Sequence, residues 1–63
     1  MWILKNSVIV NTENISVIKM DASGNLRFTI AGNAELILDN VPEDAVKQIW
    51  MAHKKGQDIV VLD

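Results

Sequence analysis

The sequence predicts a small α+β domain. An antiparallel β-meander of about five strands precedes one C-terminal amphipathic helix at about 42–55, packed on the sheet, and a short final strand follows. Three observations predict it. Short apolar, β-branched runs are separated by Asn- and Gly-containing turns as far as Asp39. One run, Leu26–Ile30, alternates strictly between apolar and polar residues. Residues 40–56 then carry helix signals at both ends.

Trp2-Ile3-Leu4 and Val8-Ile9-Val10 open the chain as strands, with Lys5-Asn6-Ser7 as a turn, or a bulge within one longer strand. Asn11-Thr12-Glu13-Asn14 is the next turn, built from residues whose side chains bond nearby backbone groups. Ile15–Met20 reads as a strand, and Asp21–Asn25 as a hairpin loop in which Gly24 or Asn25 can take positive φ. In Leu26–Ile30, Leu26, Phe28 and Ile30 share one face, with Arg27 and Thr29 on the other. Gly32-Asn33 marks a tight turn, after which Ala34–Asp39 completes the meander with Ala34, Leu36 and Leu38 inward.

The helix is expected to start with Asn40 and Glu43 as a capping box and with Pro42 in the first turn, where its missing N–H does no harm. Lys54 and Lys55 complement the last turn, and Gly56 ends it in the left-handed conformation. At 100° per residue, Ala45, Val46, Ile49, Ala52 and His53 share a side, with Trp50 at its margin and Met51 opposite. Gln57-Asp58 leads into the strand Ile59–Leu62.

With 63 residues the chain forms one domain, 1–63, and its core is small relative to its surface. Chains of this size gain stability from disulfides, metals or oligomerisation. There is no cysteine and His53 is the sole histidine, so oligomerisation is the route left open by a composition that is 49% apolar. No signal peptide or membrane span is expected, and cytoplasmic residence is the default. A formal charge of −2 disfavours nucleic acid as a partner.

No catalytic or metal-binding constellation stands out, and neither a cofactor nor a metal is expected. His53 could act as a base or ligand contact, but its place near the helix C-terminus also suits a structural role. Asp21, Ser23 and Asn25 alternate like the first ligands of a calcium loop. The twelfth position is Gly32, however, and the flanks read as strands, so a hairpin fits better. Trp2 and Trp50 are of the residue type that anchors interfaces, and Met51 adds apolar surface on the polar side of the helix. Trp2–Leu4, Val8–Val10 and Ile59–Leu62 are apolar on both faces, whereas one helix can cover only one face of a sheet.

Val10-Asn11-Thr12-Glu13-Asn14-Ile15-Ser16-Val17-Ile18 resembles the strand–turn–strand opening of several short bacterial β-meander proteins, the flagellar FlbD type among them. The resemblance implies a hairpin fold and transfers no site residue. The apolar Ile59–Leu62 end departs from that type's basic tail.

Two functions are therefore expected from different classes. The first is a non-enzymatic interaction module, homo-oligomeric and acting by binding another protein, with Trp50, Met51, His53, Trp2 and Arg27 as binding or interface residues. The second is a protein that binds or sequesters a small ligand, such as a nucleotide or other anionic metabolite, in pockets between subunits.

Overall fold

In the computed structural model, which describes residues 1–62, every apolar run becomes a strand. The order is β1 (Trp2–Lys5), β2 (Val8–Asn11), β3 (Ile15–Met20), β4 (Leu26–Ile30), β5 (Ala34–Leu38), α1 (Ala45–Lys54) and β6 (Ile59–Val61). Lys5-Asn6-Ser7 is a turn between two strands: Lys5 pairs with Val8, and Asn6 takes a left-handed φ of 53°. Thr12–Asn14 forms a single 3-10 turn, capped where the Asn11 side chain accepts the Glu13 N–H at 3.0 Å.

The strands divide into two three-stranded sheets, β2-β1-β6 and β3-β4-β5. The second is the expected antiparallel meander, with a register shift between Ile15 and Val17. The first goes beyond an antiparallel reading, because β6 runs parallel to β1 and pairs Trp2 with Ile59 and Leu4 with Val61. Parallel neighbours cannot be joined by a tight turn, and here everything from β2 to α1 lies between the two strands. The Trp2 N–H donates to the Asp58 carbonyl at 2.7 Å, and the Leu62 N–H donates to the Leu4 carbonyl at 2.8 Å.

α1 packs closest against β6 and β3, one strand from each sheet, so it closes the space between them. Ala45, Ile49 and Ala52 recur at helical spacing and are buried. The two alanines let the helix backbone approach the sheets, and Ile49 fills the centre. Phe28, Ile3, Leu26 and Leu62 are the largest fully buried side chains, joined in the core by Val10 and Leu38. Leu36 and Leu38 face inward as expected, while Ala34 at the strand's start is exposed.

The helix is shorter at its start than the expected 42–55. Asn40 adopts a left-handed φ of 54°, and the Pro42 carbonyl accepts the Ala45 N–H at 3.0 Å in a turn. Asp44 is the N-cap, without a side-chain cap; its carboxylate instead accepts from the Gln48 amide at 2.8 Å. Pro42 thus sits in the turn before α1, a place where its fixed φ is equally at home. At the other end, Gly56 has φ of 71°. Its N–H donates to the His53 carbonyl, and the Gln57 N–H donates to the Ala52 carbonyl. This crossed pair is a Schellman stop, which needs the left-handed residue that glycine supplies without strain.

Candidate functional site

Two apolar surfaces remain uncovered, and the fold builds each from residues distant in sequence. The first is the outer face of β2-β1-β6. Side chains alternate across a sheet, and Ile3, Lys5, Val10 and Leu62 point to the core side. The opposite face therefore carries Trp2 and Leu4 from the central strand, Ile9 and Asn11 from β2, and Ile59 and Val61 from β6. Exposure is 44% for Trp2, 62% for Ile9, 55% for Ile59 and 51% for Val61; Leu4, flanked on both sides, is half-buried. None of the six is charged.

The outer face of the other sheet provides an internal comparison. Register places Val17, Thr29 and Glu35 in one row and Lys19, Arg27 and Ile37 in the next. The Arg27 guanidinium joins Asp21 at 2.7 Å and Glu35 at 2.9 Å. That face is built for water, with half its positions charged.

The Asp21 carboxylate also closes the β3–β4 loop, accepting the Ser23 and Asn25 N–H groups at 2.9 Å each. The alternating Asp21, Ser23 and Asn25 thus serve a turn. The Asn25 N–H, the Arg27 guanidinium and the Ser23 N–H hold this carboxyl below its ordinary 3.8. Because the folded state favours the anion, its contribution is complete above pH 3.8 and declines as pH falls from there through the lowered folded value. Asp21→Asn should therefore flatten the fall in the urea midpoint below about pH 4. An NMR titration placing the Asp21 carboxyl at or above 3.8 would contradict this.

The second surface is a cleft of about 310 Å³ along the flank of α1. Val46, Ile49, Trp50 and His53 form the helix wall, and Met1, Thr12 and Ile18 the facing wall. Trp50 is 58% exposed, and its ring lies 5.8 Å from that of His53 at an interplanar angle of 33°. The Thr12 hydroxyl donates to the Met1 carbonyl at 2.9 Å, which holds the rim in place.

The structure thus brings Trp50 and His53 into one cleft. Met51 is exposed on α1 but does not line it, Trp2 lies on the uncharged sheet face, and Arg27 lies on the charged one. Ile9, Leu4, Ile59 and Val61 join Trp2 through pairing across the whole chain. Their two-faced apolar runs were the signal that could have singled them out. Among the described residues, no group of three or more His, Cys, Asp or Glu is placed to hold a metal ion, and no helix is long and apolar enough to cross a membrane. Comparisons with protein-family profiles, with characterised proteins and with solved structures find no match.

Proposed function

We propose that this chain is a non-enzymatic interaction module that acts by binding protein through the outer face of β2-β1-β6. The carrying observation is the contrast between two outer faces of six register positions each in one molecule. One bears Lys19, Arg27 and Glu35 among its six register positions, and the other bears no charge among its six. Apolar surface gathered in one patch, with an aromatic residue on the central strand, is the arrangement that stable protein contacts use. β6 adds an edge strand without charge or proline, two of the devices by which edges are kept from pairing.

Photo-cross-linking tests the reading. A benzophenone amino acid at position 9 should yield protein adducts when the chain is incubated alone or in cell extract. The same group at position 37, on the charged face, should yield few. Equal yields from the two positions, or none from position 9, would end the proposal.

The helix-flank cleft supports a second reading, binding of a small aromatic or anionic ligand. Its 310 Å³ lies at the lower end of the range of about 300–1,000 Å³ in which small molecules bind. An exposed indole beside an imidazole offers a stacking surface and one polar contact. A ligand at 100 times its Kd adds about 2.7 kcal/mol, which for a domain of this size raises the Tm by roughly 10 °C or more. A thermal-shift screen of nucleotides and aromatic carboxylates should find such a shift, and Trp50→Ala should abolish it. A flat screen counts against this reading and leaves the sheet face unaffected.

A further inference from the structure

The uncharged face is suited to one occupant in particular. We infer that two copies of this chain pack their β2-β1-β6 outer faces together as a two-fold dimer, with β1 over β1 in opposite directions. The inference rests on the reading of this face as a protein-binding surface, and identifies the partner as a second copy.

Area is the first argument. At the exposures above, Trp2, Leu4, Ile9, Ile59 and Val61 leave on the order of 400 Å² of apolar surface in water, the size of a patch that marks an interaction site. Two such faces bury about 800 Å², an area on the scale of a weak, reversible pairing, which is why a monomer–dimer equilibrium is expected and not a permanent dimer.

Charge is the second. A two-fold interface sets each patch against itself, so any net charge on it meets its own sign. The outer face of β3-β4-β5 carries Lys19 and Arg27 against a single Glu35, so pairing it with itself would bring two net positive patches together, whereas the β2-β1-β6 face has no charge to oppose. Its one polar member, Asn11, already accepts the Glu13 N–H through its side-chain oxygen, which lowers the cost of covering it.

Shape selects the direction. With the two β1 strands antiparallel, the axis passes at the level of Ile3, between Trp2 and Leu4. Trp2 of each copy then stands over Leu4 of the other, Ile59 over Val61, and Ile9 over Asn11. Large residues meet smaller ones at every level, as interdigitating sheets in a sandwich require. With the strands parallel, Trp2 would meet Trp2 and the smaller residues would leave a gap. Trp2, on the central strand, becomes the enclosed anchor.

Sedimentation equilibrium over a concentration series tests the pairing. The wild type should show a monomer–dimer equilibrium. Ile9→Lys, at a site open enough to spare the fold, should weaken it by roughly 30-fold or more, as loss of an interface anchor does. Ile37→Lys, at a 46% exposed site on the other sheet's outer face, should leave it unchanged; circular dichroism melts confirm that each variant is folded. A monomeric wild type at every concentration, or equal effects of the two lysines, overturns the dimer. If position 9 nevertheless cross-links to a different protein, self-association has failed while protein binding stands. Isotope-filtered NOEs between unlabelled and labelled chains report the direction: contacts from Trp2 to Leu4 support it, and contacts from Trp2 to Trp2 overturn it.

Discussion

Phe28→Ala should leave the chain largely unfolded at 25 °C. Phe28 has no exposed surface, stands on the central strand of its sheet, and pairs with Ile18 on one side and Leu36 on the other. Truncating a buried phenylalanine costs about 3–5 kcal/mol, part lost transfer energy and part the cavity left behind. At roughly 0.05–0.15 kcal/mol per residue, a domain of this length holds only about 3–9 kcal/mol in total. The cavity can be refilled only by moving a strand or the helix, since the neighbouring core side chains are themselves in close contact. Urea melts followed by circular dichroism should show little or no folded baseline. A loss below about 1 kcal/mol would show that the core is centred elsewhere.

Leu62→Ala should cost about 2–5 kcal/mol, with the damage concentrated at one place. Leu62 is fully buried although it follows the last strand, and its N–H donates to Leu4. Its side chain anchors the end of β6 in the core, whereas Ile59 and Val61 point outward and are exposed. Losing it should free β6 before the meander loosens. Hydrogen exchange should then quicken first at the amides of Val60 and Leu62 that bond to β1, while Phe28 and its neighbours stay protected. Uniform acceleration throughout the chain would show that β6 is no separate unit. Cross-linking at position 9 should fall as well, because the sheet face loses two of its five apolar members.

Much of this architecture is legible in the residues themselves. Strict alternation in Leu26–Ile30 places Phe28 and Leu26 in the core, and Gly56 after Lys54 and Lys55 marks where α1 stops. The start of the helix is less legible. Asn40, Pro42 and Glu43 suit a capped helix and a turn almost equally, and only packing decides between them. The helical wheel sets the angle of each side chain but not the depth at which the helix sits. Ala45 and Ala52 bring one stripe close to the sheets, and Val46, His53 and Trp50, slightly round the cylinder, remain exposed. The parallel pairing of β1 with β6 is the least legible feature. No local signal specifies a register between residues at opposite ends of a chain.

That pairing has a kinetic consequence. Contacts between the first and last strands close the largest loop the chain can form, and such contacts are slow to form because the entropy of closure precedes any reward. The meander and the helix can assemble from near neighbours, whereas the pairing of Ile59 and Val61 with Trp2 and Leu4 joins residues far apart in sequence and is expected to form late. Trp2, Leu4 and Ile9 come together in a local hairpin, so it is the β6 third of the apolar face, Ile59 and Val61, that is expected to assemble late and to be lost early. Until β6 docks, its apolar side chains and the open edge of β1 stay in water, and this is the stage at which the chain is most exposed to aggregation.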